Sequence, residues 1–263
     1  MPINKHEGAL FANESYNMLR KVPGQRNRLA NIDFINKNIF NTGYRVVDDR
    51  KHTNKDMVTY INDEGHIHIS HRGTDMTGSQ TGKDVSTWLP IARGATSENK
   101  HFVRRQRMTD RTLEAFPDAE YVTGSSHSYG GSSLYSALLG SQIARDRFDR
   151  VHTYNAGASL FRTANETALS PEARKQLKGI VTHHRVEGDV VSGAWATRKP
   201  LVGEVKTIKR KKTGMGMALD TFLTLTANQG VKSTRDAALS HGLDHFYKAE
   251  KYRESESEDG PLE

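Results

Sequence analysis

The stretch "SSHSYGGSS", residues 125–133, holds five serines, one histidine and two adjacent glycines. It lies between a strand-like run, "AEYVTG" at 119–124, and a run with helical spacing of apolar residues, "LYSALLG" at 134–140. A small-residue turn between a strand and a helix lifts one serine hydroxyl above the sheet edge. The free N–H groups of the helix N-terminus then favour an oxyanion beside it. The stretch therefore predicts a nucleophile elbow.

Two serines fit the strained turn of such an elbow, which requires small residues two positions before and two positions after the nucleophile. Ser128 has Ser126 before it and Gly130 after it, whereas Ser126 has Gly124 and Ser128. We favour Ser128 because Gly130 and Gly131 then begin the helix directly behind the nucleophile. A serine-rich connector without chemistry is the alternative that this stretch alone leaves open.

Apolar strand-like runs alternate with longer helix-like stretches along the chain, which favours an α/β domain with a mostly parallel sheet. The first two runs are joined by "DEG" at 63–65, a hairpin signal, so we expect an N-terminal hairpin in the sheet and helices on both faces. The predicted strands are 57–63, 66–71, 119–126, 150–156, 179–186 and 203–210.

Five motifs, in order along the chain, resemble the class 3 lipase family of α/β-hydrolases. They are "RGTD" at 72–75, "SHSYGG" at 126–131, "NAGAS" at 155–159, "HRVEGDVVSG" at 184–193 and "SHGLDHFY" at 240–247. The resemblance covers roughly residues 55–250 and implies an α/β-hydrolase fold in a single domain, 1–253. Two positions depart from the family's elbow motif, since Ser126 replaces its first glycine and Tyr129 replaces its leucine.

The resemblance implies a catalytic triad in the chain order Ser, Asp, His, here Ser128, Asp189 and His241. His245 is an alternative base, because it lies four residues after His241. The implied oxyanion hole consists of the backbone N–H groups of Thr74 and Tyr129. The i, i+4 histidines also suggest a zinc pair, but "HGLDH" lacks the glutamate of the helical metalloprotease motif. We therefore expect no metal and no cofactor.

The resemblance therefore implies a lipase-like carboxylic ester hydrolase that cleaves acyl esters, with lipids as the expected substrates. The alternative is a catalytically inactive binding or structural protein on the same scaffold, because a fold does not fix a function. Residues 76–97 are rich in Gly, Ser and Thr around Trp88, Leu89 and Ile91. Long loops of this kind are often functional, so a lid over the acyl pocket is a further hypothesis.

The net charge is +7, and the acidic segment "ESESEDGPLE" at 254–263 carries five acids and no bases, so the rest of the chain carries +12. We expect that segment to be a disordered tail and the body to make peripheral contact with anionic membranes. Nucleic acid is not expected, because the only dense basic run is 209–212. The chain has no cysteine, no apolar signal-peptide core and no apolar run long enough for a membrane span, so we expect an intracellular, soluble protein.

Overall fold

The computed structural model describes residues 3–19, 28–73, 99–157, 163–187, 189, 192–193 and 199–208. Within these residues seven strands form one sheet in which spatial order follows chain order. The first three strands are antiparallel neighbours, and the pairs from β3 to β7 are parallel. The strands are β1 (Tyr44–Val46), β2 (Met57–Asn62), β3 (Ile67–His71), β4 (Val122–His127), β5 (Arg150–Tyr154), β6 (Val181–Val186) and β7 (Glu204–Ile208).

The described helices precede the sheet or connect its strands. They are α1 (Lys5–Glu14), α2 (Arg28–Asn38), α3 (Lys100–Ala115), α4 (Tyr129–Gly140), α5 (Gln142–Arg147), α6 (Ala164–Ala168) and α7 (Pro171–Lys178), with 3-10 turns at Ser15–Leu19 and Phe40–Thr42. Side-chain caps fix where several of them begin. Asn4 and Glu7 form a capping box at α1, and Thr163 and Glu166 form another at α6.

Different helices cover the two faces of the sheet. On one face α4 places Leu134 and Leu138 in a core with the strand residues Ile67, Ile69 and Val122. The opposite face is covered by α1, which contacts β4 and β5. The ring of Phe11 in α1 lies 4.6 Å from the ring of His68. The predicted α/β architecture, a mostly parallel sheet with an N-terminal hairpin and helices on both faces, is confirmed.

All six predicted strands are present, with ends that differ by a few residues from the prediction. The sequence interpretation missed β1, α2 and the short helix α6. Helix α4, which contains the apolar run 134–140, is separated from α5 by the extended residue Ser141. The hypothetical lid at 76–97, the basic run at 209–212 and the acidic tail at 254–263 lie outside the described residues, and the extent of a single domain to residue 253 stays a prediction. Among the described helices, none is both long and apolar enough to span a membrane.

Candidate active site

Ser128 occupies the turn between β4 and α4, with φ 56° and ψ −128°. A side chain at positive φ is strained by roughly 1–3 kcal/mol, and such strain persists only where surrounding bonds hold it. The N–H of Ser128 donates to the carbonyl of Tyr154 at 2.9 Å, and the N–H of Ser132 donates to the carbonyl of Ser128 at 3.2 Å. The strained serine is thereby fixed to β5 on one side and to the first turn of α4 on the other.

Two glycines behind Ser128 bring α4 against the neighbouring strands. A Cβ atom on Gly130 would collide with the carbonyl oxygen of His71 and lie 2.8 Å from the carbonyl carbon of Arg72. A Cβ atom on Gly131 would lie 2.6 Å from the Cβ of Ala156. The helix can therefore approach the ends of β3 and β5 only because both positions lack a side chain.

The competing serine, Ser126, lies within β4 and not on the turn. It is fully buried, and its Oγ accepts the backbone N–H of His71 at 2.8 Å. The Ser126 hydroxyl therefore links β4 to β3, because it binds a backbone group of the adjacent strand. Of the two candidate registers, the structure places Ser128 at the strand-to-helix junction.

A buried polar cluster ties β3 to the helices beside the elbow. The ring of His71 lies within hydrogen-bond distance of Ser133 through Nδ1 (2.8 Å) and of Thr109 through Nε2 (2.8 Å). Burial, and then the positive charge of Arg105, hold the pKa of His71 well below its usual range. His71 is therefore neutral near pH 7 and acts as a fixed link between β3, α3 and α4.

Arg72 braces the segment that leads to the predicted oxyanion residue Thr74. Its guanidinium donates to the carbonyls of Lys55 (2.5 Å) and Gly73 (2.7 Å). Its own carbonyl accepts a bond from Arg105 Nη1 at 2.6 Å. The side chain of Arg72 is thus engaged with backbone carbonyls on both sides of the end of β3.

Tyr16 links the two chain segments that carry the predicted oxyanion donors, a contact that the sequence interpretation missed. Its hydroxyl lies 2.9 Å from Nδ1 of His127, the residue before Ser128. The same hydroxyl occupies the space that a side chain on Gly73 would fill. Gly73 directly precedes Thr74, so Tyr16 contacts both strand ends at once.

Asn155 is the second non-glycine residue with positive φ (43°) in the described part of the chain, and it follows the end of β5. Its backbone N–H donates to the carbonyl of His184 at 2.8 Å, and its Oδ1 accepts the N–H of Val186 at 2.9 Å. Both bonds end on β6. The motif "NAGAS" marked this turn in the sequence, but neither the strain nor the link to β6 was predicted.

Asp189 lies just past the end of β6, where its N–H donates to the carbonyl of Val186 at 3.1 Å. The carboxylate is buried, and its Oδ2 accepts the N–H of Ser192 at 2.7 Å and the Ser192 hydroxyl. Because β4, β5 and β6 are parallel, Ser128 and Asp189 share the carboxyl edge of the sheet, with β5 between their strands.

Tyr129, the first residue of α4, is buried. Its ring lies 4.9 Å from the ring of Phe102, and the guanidinium of Arg105 lies 5.1 Å from its centroid. Thr74, His241 and His245, as well as Trp88, Leu89 and Ile91, fall outside the described residues. Of the predicted site, the structure thus describes Ser128, Tyr129 and Asp189.

Comparisons with known proteins give only distant structural likenesses. No protein-family model matches the chain, and no curated protein does. The native Rhizomucor miehei lipase propeptide complex aligns with 70% of this chain and 60% of its own, with 13% identity and a TM-score of 0.36. A fungal esterase from Rhizomucor miehei aligns with 95% of this chain and 99% of its own, with 12% identity and a TM-score of 0.30. The chain therefore spans about 60% of the length of the lipase chain that it matches.

Proposed function

We propose that this protein is a serine hydrolase of the class 3 lipase type, which cleaves acyl ester bonds with Ser128 as nucleophile. The observation that carries the proposal is the backbone of Ser128, a non-glycine residue at φ 56° between a parallel strand and a helix N-terminus. A turn that served only as a connector would relieve this strain with glycine, which adopts positive φ freely. Strain retained at a serine therefore points to a need for its hydroxyl.

The position of Ser128 at a helix N-terminus suits acyl transfer, because the reaction develops negative charge beside the serine. In the proposed first step Ser128 Oγ attacks the ester carbonyl carbon while His241 accepts the hydroxyl proton. The carbonyl oxygen becomes an oxyanion, which the N–H groups of Tyr129 and Thr74 stabilise. The tetrahedral intermediate then collapses, and the alcohol leaves with the proton from His241.

Water completes the cycle in the proposed second step. It attacks the acyl-serine carbonyl, His241 takes its proton, and the acid is released as that proton returns to Ser128. Asp189 orients His241 and stabilises its imidazolium form. Two hydrogen bonds from Ser192 to Oδ2 hold the Asp189 carboxylate in place.

A fluorophosphonate probe, which attaches to an activated serine, tests the proposal directly. We expect intact-mass analysis to show one probe per chain, and we expect Ser128→Ala to abolish both labelling and hydrolysis of a p-nitrophenyl ester. The flanking serines are matched controls: Ser126→Ala and Ser132→Ala should still label. Loss of a triad member typically lowers turnover by several orders of magnitude, about 10⁴ or more.

The same experiment has two contradicting outcomes. Labelling that survives in Ser128→Ala but disappears in Ser126→Ala would assign the nucleophile to the other register. A parent protein that neither labels nor hydrolyses esters would favour the inactive binding or structural protein on this scaffold.

A further inference from the structure

The outer face of α3 carries a row of basic side chains. Lys100, Arg104, Arg107 and Arg111 are all exposed and follow one another at intervals of four, three and four residues. This spacing puts them on one side of the helix, over a length of about 16 Å. The opposite side of α3 is buried, so the row faces outward along its whole length.

A second basic segment lies beside this helix, in the loop 47–56 between β1 and β2. The ring of His52 lies 3.0 Å from Thr112 of α3 through Nδ1, and Asp56 forms ion pairs with Arg104 and Arg105. The loop adds three exposed bases, Arg50, Lys51 and Lys55. We call these seven bases of α3 and the loop the α3 basic surface.

The helix part and the loop part of the α3 basic surface lie beside the same histidine, His52. Burial lowers the pKa of His52, Asp49 opposes this effect, and the charges of Lys51 and Arg111 lower the pKa further. One base of the loop, Lys51, and one base of α3, Arg111, thus both act on His52. The helix and the loop hold five acids against these seven bases. Asp48, Asp49 and Glu114 are exposed, and Asp48 is paired with Arg28. Asp56 is buried in its ion pairs, and the half-buried Asp110 accepts a hydrogen bond from Ser141. Positive charge remains in excess.

The buried side of α3 contacts the candidate active site. Phe102 packs against Tyr129, and Arg105 donates to the carbonyl of Arg72 at 2.6 Å. A partner bound to the α3 basic surface would therefore lie one helix diameter, about 10 Å, from the elbow. The surface and the elbow are parts of one packed unit.

We propose that the α3 basic surface docks the protein on an anionic lipid bilayer. The choice of a lipid partner rests on the proposed function, because an enzyme for lipid esters gains substrate by residing at the bilayer. A row of exposed bases attracts anionic headgroups without any apolar insertion. Single-stranded nucleic acid is bound chiefly by aromatic stacking together with charge. The helix and the loop, both described throughout, expose no Phe, Tyr or Trp.

The test measures sedimentation of the full chain with vesicles of phosphatidylcholine containing about one third phosphatidylserine, against vesicles of phosphatidylcholine alone. Each base near an anionic surface strengthens binding about fivefold. The triple variant Lys100→Gln, Arg107→Gln, Arg111→Gln should therefore bind anionic vesicles about a hundredfold more weakly. Added salt should also weaken the binding of the parent protein to these vesicles. Thermal unfolding checks that each variant is folded.

A second triple variant is matched for charge. Lys37→Gln, Lys175→Gln, Lys178→Gln removes three exposed bases from α2 and α7 and should weaken binding less than tenfold. Equal losses in both triple variants would overturn the proposal, because net charge and not a surface would then set the affinity. The proposal would also be overturned if the parent protein bound DNA oligonucleotides through the same three residues but did not bind vesicles. The partner of the surface would then be nucleic acid.

Ser128→Ala separates this proposal from the proposed function. It should bind anionic vesicles as the parent does, because Ser128 lies outside the α3 basic surface. Loss of vesicle binding in Ser128→Ala would overturn docking by α3, since the elbow would then hold the membrane. Vesicle binding by a parent protein that the fluorophosphonate does not label would refute the proposed hydrolase and leave the docking surface supported.

Discussion

The side-chain oxygen of Asn155 accepts the backbone N–H of Val186 at 2.9 Å, and this bond joins the end of β5 to the end of β6. Tyr154, one residue earlier, accepts the N–H of Ser128 at 2.9 Å. Tyr154, the last residue of β5, and Asn155, which follows it, thus connect the proposed nucleophile to the strand that Asp189 follows. The relative position of Ser128 and Asp189 depends on this short connection.

Replacing Asn155 should loosen that connection. In Asn155→Ala the buried N–H of Val186 loses its partner, and alanine has to adopt a φ of 43°. We therefore expect the unfolding free energy to fall by about 2–3 kcal/mol. Misplacement of Asp189 should also reduce kcat about ten- to a hundredfold with little change in KM. Asn155→Gly separates the two causes, because it loses the bond but relieves the strain. A parent-like kcat in both variants would contradict the link.

Strain at Ser128 predicts an unusual order of stabilities. Ser128→Gly should be about 1 kcal/mol more stable than Ser128→Ala, because glycine adopts φ 56° without a Cβ clash and this gain exceeds its larger entropy in the unfolded chain. Urea denaturation of the two variants at pH 8 measures the difference. If the glycine variant is the less stable one, the turn is not strained.

Close packing behind the elbow makes Gly130 intolerant of any side chain. In Gly130→Ala the new Cβ meets the backbone of His71 and Arg72, which cannot rotate away as a side chain does. We expect a loss of about 3 kcal/mol in unfolding free energy, at the upper end of the range for overpacking. Gly179→Ala is the matched control, since nothing lies within 4 Å of a Cβ there and its φ is −85°. It should raise the unfolding free energy by about 0.4–1 kcal/mol, because alanine has less conformational entropy than glycine in the unfolded chain. Equal effects at both glycines would contradict the packing argument.

The main strands and the elbow were predictable because they depend on local features. Apolar runs bounded by turn residues mark β2 to β7, and small residues at fixed offsets mark the turn at Ser128. The 3-residue strand β1 has too few residues for a periodic pattern. Helix α2 is mostly polar and is held by contacts with distant residues, such as the bond from Asn31 to the carbonyl of Met18. Such contacts leave no local signal.

The polar interior of the sheet could not be predicted either. His68 is fully buried and lies 2.8 Å from both Thr123 and Ser125 through its two ring nitrogens. A histidine looks the same in a sequence whether or not a neighbouring strand supplies its partners. The contact between Tyr16 and His127 was missed for the same reason, since the two residues are separated by 111 positions.

Buried histidines in the sheet predict that the protein loses stability in mild acid. Burial lowers the pKa of His183 to about 4. The pKa of His152 is also lowered to about 4, mainly by burial and then by Arg150 and Lys206. In the unfolded chain histidine titrates near pH 6.5. Below that pH the unfolded state therefore binds protons that the folded state does not, and stability falls as pH falls from about 6.5 to about 4.

Each of these two histidines should lower the unfolding free energy by about 3 kcal/mol across that window, with a slope of up to about 1.4 kcal/mol per pH unit. Urea denaturation between pH 8 and pH 5 measures the slope, which we expect to be flat above pH 7 and steep below pH 6. His183→Gln removes one titrating ring together with its contacts to Thr153 and Val202. That variant should be less stable than the parent at pH 8, and its slope below pH 6 should be shallower by about one proton. A parent protein that keeps the same unfolding free energy from pH 7 to pH 5 would show that these histidines take up protons in the folded state.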